Sequence, residues 1–161
     1  MGATTTTFSG QKPNALSTIS RSGFLCGCMD ITAALVVYGL MGIKPMRLLQ
    51  GVASGLVGAR AFEGGWATAM LGLLCHFVVA FSAATGFFAV SRLVPTLLKH
   101  AVVYGILYGI FVYFFMDRIV VPLSAARQRS FSLKMMFIGI IIHIFCVGLP
   151  ISLTVRRYSV R

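Results

Sequence analysis

Four apolar runs, each about as long as a bilayer is thick, dominate this chain of 161 residues. About 20 apolar residues in a helix cross the hydrocarbon core of a membrane. The runs cover residues 23–42, 66–90, 101–123 and 135–155, and the flanks carry Lys44-Pro45, Arg92 and Arg156-Arg157. Backbone groups find no water inside a bilayer, so each run is expected to be a helix. Short links after the second and third runs make neighbouring helices antiparallel. The expectation is an all-α polytopic membrane protein, with one four-helix transmembrane domain over residues 23–157. A flexible tail is expected over residues 1–22, and a short C-terminal tail over 158–161.

Composition excludes several other classes. Apolar residues make up 58% and charged residues 11%, against about 25% charged in a soluble domain. The net charge is +11, but the 14 Lys and Arg are scattered between apolar runs. No nucleic-acid partner is expected from such a distribution. Three acidic residues are too few for a hydrolase built on paired carboxylates. No Walker loop, GxSxG, HExxH or GxGxxG occurs, so no enzyme activity is expected. The cysteines at 26, 28, 75 and 146 lie within spans, and Cys26-Gly27-Cys28 lacks zinc-site spacing. They read as small apolar packing residues.

Residues 1–22 are rich in Thr, Ser and Gly. Gly2 fits the loose N-myristoylation pattern, but a chain that inserts itself needs no lipid anchor. Leu25-Cys26-Gly27-Cys28 looks like a lipoprotein cleavage box, yet its apolar run follows it rather than precedes it.

Residues 43–65 are too polar to span and too long for a turn. Pro45 suits a first helical turn, and Leu48, Leu49, Val52, Leu56 and Val57 recur at helical spacing, with Gly51 and Gly55 on a neighbouring stripe. An interfacial amphipathic helix is expected here. Lys and Arg number seven on the side of the termini and six on the other, with Arg118 inside the third span. The near balance leaves orientation open by the charge rule; both termini in the cytoplasm is the reading adopted.

An ionisable side chain inside a span costs about 2.5–3.5 kcal/mol on insertion scales. Every span carries one: Asp30, His76, Asp117 beside Arg118, and His143. Helical spacing puts Asp30 in line with Gly23 and Gly27, His76 with Gly72 and Ala80, Asp117 with Gly105, Gly109 and Tyr113, and His143 with Gly139, Cys146 and Pro150. Small residues mark helix contacts in membranes, so the four groups are expected to form a polar bundle core. Counted along the spans, the two His share a level near the midplane. Asp30 and Asp117 then step away on opposite sides, a series that could pass protons or an ion. Asp117 paired with a snorkelling Arg118 is the alternative. The bland reading is that each group simply bonds a neighbouring helix.

Both His follow a Gly by four residues, Gly72 to His76 and Gly139 to His143. That spacing leaves room for a haem b ligated by His76 and His143; otherwise no cofactor and no metal are expected. The depth spread disfavours a single metal cage of two His and two Asp. Gly23-x-x-x-Gly27 and Gly105-x-x-x-Gly109 offer faces for a homodimer. An Asp span precedes a His span twice, which hints at a duplicated helical pair. Small multidrug exporters of four helices share an acid in the first span, a likeness of architecture alone.

Residues 49–55 (LQGVASG), 61–66 (AFEGGW), 121–124 (VPLS) and 143–150 (HIFCVGLP) resemble a group of short bacterial four-helix membrane proteins. The His76 span and the Gly–His fourth span are more distantly similar to the YagU-like inner-membrane family. The resemblance covers about residues 23–157. It implies a location in the bacterial inner membrane and four helices, and through the YagU-like family a connection with acid tolerance. It assigns no activity and no site residue.

Three functions follow: a polar core that carries protons, an ion or a small solute; an accessory bundle without transport; and a bis-histidine haem redox protein. A desolvated carboxyl and a desolvated imidazole both disfavour their charged forms. Proton coupling, if present, is therefore expected to centre on Asp30 and the His pair.

Overall fold

The first helix starts well upstream of its apolar run. In the computed structural model, which describes residues 14–127 and 132–159, α1 spans Ala15–Leu40. Asn14 caps it from an extended backbone, its side chain accepting from the Ser17 N–H. That satisfies one of the open donors of a first turn. The polar residues that follow are compatible with a helix because Ser22 returns its hydroxyl to the Thr18 carbonyl at 2.8 Å. Of the tail expected over 1–22, residues 14–22 therefore belong to α1 and its cap, while 1–13 lie outside the described residues. At the other end Tyr158 and Ser159 close the last helix, and 160–161 lie outside as well.

Gly42, at φ 82°, lets the chain turn after α1. Pro45 opens α2 (Pro45–Val57), and a 3₁₀ turn over Gly58–Phe62 leads to α3 (Gly65–Leu93). A single turn, α4 (Thr96–Lys99), precedes α5 (Ala101–Leu123), and α6 (Leu133–Ser159) completes the chain. Among the described residues there is no strand. The helices α1, α3, α5 and α6 are each long and apolar enough to cross a membrane. The chain is thus an all-α, multi-pass integral membrane protein. Phe24, Leu74, Val78, Phe111, Phe137 and Phe145 are exposed, as lipid-facing residues are.

Two of these helices widen just before a proline. Proline lacks an N–H and its ring strikes the carbonyl four residues back. In α5 a π turn over Met116–Val120 precedes Pro122, and in α6 one over His143–Gly148 precedes Pro150. A π turn accommodates the lost bond by inserting a residue.

Lipid gives helices little hydrophobic reason to associate, so close backbone approach has to supply the packing. Glycines provide it. A Cβ at Gly23 or Gly27 of α1 would strike the Phe81 and Phe77 rings of α3. One at Gly105 or Gly109 of α5 would strike Ser152 or the His143 backbone of α6. Gly148 lies in turn against the Gly105 and Gly109 backbone. Both glycine pairs expected to offer a homodimer face are therefore occupied by the chain's own helices. Their small size serves folding of the single chain.

Helix α1 packs against α3 and α6, and α5 against α6. Tyr108 of α5 closes the ring by donating to the Ala83 carbonyl at 2.7 Å, with its ring edge-on to Phe87. The core lies in the half of the bundle nearer the termini: Cys26, Ala80, Ala84, Phe87, Val112, Val147, Ile151 and Val155. In the other half, no residue of α1 beyond Gly27 and none of α6 before Val147 is buried.

Helix α2 crosses that second half. Its carbonyl at Leu49 sits against Gly72 of α3. Buried Gln50 donates to the Gly65 carbonyl at 3.0 Å, and the Gly55 carbonyl accepts from the Ala125 N–H at 2.9 Å. The buried face carries Leu48, Leu49, Gln50, Ala53 and Ser54, while Leu56 and Val57 are exposed. The expected apolar stripe is thus split. The first turn packs inward, and polar Gln50 and Ser54 follow it because α3 supplies acceptors and small residues there.

Adding volume at these glycines tests the packing. Gly72→Val and Gly109→Val should each destabilise the bundle by roughly 1–3 kcal/mol, the usual cost of overpacking. Gly39→Val, which meets nothing within 4 Å, should stay within about 0.5 kcal/mol. Unfolding of the purified variants in mixed micelles measures both.

Candidate functional site: an intramembrane Asp–His pair

The early start of α1 changes the depth of Asp30. It lies ten residues from Leu40, the end of α1 on the α2 side. His76 lies eleven residues from Gly65 and His143 ten from Leu133, both helix ends on that same side. At 1.5 Å per residue all three sit about 15 Å deep. The expected stepped series is therefore a single layer near the midplane, with only Asp117 outside it, six residues from Leu123.

Within that layer the structure brings together Asp30 and His76. The His76 Nε2 lies 2.9 Å from the Gly27 carbonyl oxygen. A carbonyl can only accept, so Nε2 carries the hydrogen and donates. That leaves Nδ1 facing the Asp30 carboxyl, 3.9 Å from Oδ2. Side-chain exposure is 13% for His76 and 20% for Asp30, so the pair is mostly but not fully enclosed. Gly27 makes the contact, since its lack of a side chain lets α3 close in far enough to reach its carbonyl. One proton added to a carboxylate and a neutral imidazole so placed has two sites: Nδ1, giving an imidazolium facing a carboxylate, or the carboxyl, giving an imidazole facing a carboxylic acid.

One helical turn towards the termini, each element carries a buried apolar residue: Cys26 above Asp30, Ala80 above His76, Val147 above His143, with Val112 of α5 beside them. These four belong to the buried core on the termini side of the pair. On the α2 side, α2 packs on α3, while no residue of α1 beyond Gly27 and none of α6 before Val147 is buried.

His143 is placed elsewhere. Its Nδ1 lies 2.9 Å from the Gly139 carbonyl, one turn back in its own helix, and its ring stands edge-on to Tyr113 of α5 at 5.4 Å. Gly139 leaves room for the Tyr113 ring. Tyr113, legible in the sequence only as a face-mate of Asp117, is thus the partner of His143. Asp117 itself is exposed and sits 3.0 Å from the Arg118 Nε. Asp117 stands in the π turn over Met116–Val120, in the exposed part of α5 and outside the Asp30–His76 layer.

The arrangement does not fit a haem between the two histidines. His76 donates Nε2–H to the Gly27 carbonyl, and its Nδ1 faces the Asp30 carboxyl at 3.9 Å and not His143. His143 has the geometry of an axial ligand, Nδ1 donating to a carbonyl, but lacks a partner of the same kind. A groove of about 430 Å³ between α1 and α6 is lined by Cys28, Met29, Thr32, Ala33 and Cys146, with no histidine. Among the described residues no three His, Cys, Asp or Glu side chains gather in a way that could hold a metal ion.

Comparison with protein families, curated proteins and solved structures finds no match to this chain. The site therefore stands on its own geometry.

A double-mutant cycle tests the pair. Asp30→Asn and His76→Gln should couple by about 0.5–3 kcal/mol, as residues in contact do. Asp117→Asn with His76→Gln should be additive within about 0.5 kcal/mol. Additivity in both cycles would remove the pair as a unit.

Proposed function

We propose that this membrane protein binds and moves protons, with Asp30 and His76 as the site that holds them. The observation that carries this is the fixed orientation of His76. With Nε2 held by the Gly27 carbonyl, the ring presents Nδ1 to Asp30 at 3.9 Å. The transfer balances once the two side chains close to hydrogen-bond distance or one water bridges the 3.9 Å between them: the Nδ1–H bond breaks, an O–H bond forms on Asp30, and the pair passes from ionic to neutral. Uptake of a second proton gives an imidazolium beside a carboxylic acid, with a net charge of +1.

Energetics favour a working role over a structural one. A single hydrogen bond between membrane helices contributes about 0.6 kcal/mol on average. Two ionisable groups near the midplane cost several kcal/mol. The bond to Gly27 does not offset that cost, so stability alone is a poor reason to keep both residues.

The packing around the pair supports access from one side. Cys26, Ala80, Val112 and Val147 are buried apolar packing on the side of the termini, whereas on the other side no residue of α1 beyond Gly27 and none of α6 before Val147 is buried; that difference favours entry from the α2 side. A proton entering from the α2 side reaches the Asp30–His76 layer, and its onward passage requires the apolar layer to separate. A location in the bacterial inner membrane, taken from the resemblance noted above, fits a protein that answers to a proton gradient.

Reconstitution tests the proposal. Vesicles loaded with a pH-sensitive dye and given a pH step between about pH 5 and 8 should equilibrate faster with the wild-type protein than without it. Asp30→Asn and His76→Gln should return the rate to that of empty vesicles, while Asp117→Asn keeps most of it. Equal rates in empty, wild-type and variant vesicles would replace this reading with that of an accessory bundle.

A further inference from the structure

The end of the bundle that carries the termini is charged in one sense only. Arg21, Arg92, Lys99, Arg156 and Arg157 are exposed there. The three acidic residues of the chain are Asp30, Glu63 and Asp117, one at mid-depth and two in the α2-side half. No Asp or Glu side chain is therefore available to these cations at their own end.

Two of the cations are held together. The Arg21 guanidinium lies 4.6 Å from the Tyr158 ring centroid and that of Arg157 lies 6.0 Å from it. One aromatic ring thus keeps two guanidinium groups, from α1 and α6, within about 11 Å of each other. Like charges so placed repel unless an anion sits with them.

Depth identifies the anion. Arg21 lies nineteen residues from Leu40 along α1, or about 28 Å of helix rise, close to the ~30 Å thickness of the hydrocarbon core. With the Leu40 end at one boundary, Arg21 lies at the headgroup level of the opposite leaflet. Tyr158 suits the same level, where aromatic rings gather. We propose that Arg21 and Arg157, gathered on the Tyr158 ring, form a binding site for the phosphate of an anionic phospholipid. Guanidinium groups match phosphate oxygens in geometry as well as charge. The lipid would bridge α1 and α6, the first and last helices of the bundle.

The test uses the full-length protein purified in neutral detergent. Phosphatidylglycerol should raise its melting temperature by about 5 °C at saturating lipid, and phosphatidylcholine should not. Arg21→Gln with Arg157→Gln should abolish the difference, Arg21→Lys with Arg157→Lys should keep part of it, and Lys44→Gln with Lys134→Gln should keep all of it. Native mass spectrometry gives a readout independent of stability: the wild-type protein should retain phosphatidylglycerol that the Gln pair loses. Equal effects of the two lipids, an undiminished shift in the Gln pair, or an equal loss in the Lys44/Lys134 control would each overturn the site. An equal shift with inorganic phosphate would show a free-anion site instead of a lipid site.

Discussion

The close approach of α1 to α3 at Gly23 and Gly27 is the contact on which the rest of the molecule depends. It packs two spans that lipid alone would not bring together, and it exposes a backbone carbonyl to a histidine near mid-membrane. A larger residue at Gly27 would push against Phe77 and Ala80 and draw the Gly27 carbonyl away from His76. The same device recurs where Gly105, Gly109 and Gly148 bring α5 onto α6. Packing and polar chemistry therefore come from the same glycines. The exposed end at Arg21 and Tyr158 then ties α1 to α6.

The bundle is unlike at its two ends. Towards the termini its core is continuous, from Cys26 and Ala80 up to Ile151 and Val155. Tyr108 and Phe87 join α5 to α3 within that half. Towards the other side, α2 is the main packing element, held by Gln50 and by Gly72. The Asp30–His76 pair lies at the border between the two halves.

The four spans were legible in the sequence because hydropathy over some 20 residues is a strong signal. The start of α1 was not, since a Thr- and Ser-rich turn reads as tail unless the cap at Asn14 is recognised. That one error displaced Asp30 from the level of His76. The small-residue faces were legible as contacts, but spacing alone does not say whether a glycine face meets another helix of the same chain or a second copy. For Asp117 the sequence left two readings, a place in the polar core or a pair with Arg118, and the structure has the pair; spacing along one helix does not say how near its end meets water. The pairing of His143 with Tyr113 needed the angle between α5 and α6, which no local pattern contains.

The central claim is that the Asp30–His76 pair opens to the α2 side and is sealed from the side of the termini. Cysteine labelling from each face of the membrane measures this directly. In a chain whose four native cysteines are replaced, single cysteines are placed at Ala34, one turn below Asp30, and at Ala84, one turn above Ala80. Glu63→Cys and Arg92→Cys serve as reporters of the two faces. A membrane-impermeant thiol reagent should label Ala34→Cys from the Glu63 face alone and leave Ala84→Cys unlabelled from either face. Labelling of Ala84→Cys from the Arg92 face, or of Ala34→Cys from that face, would contradict the account.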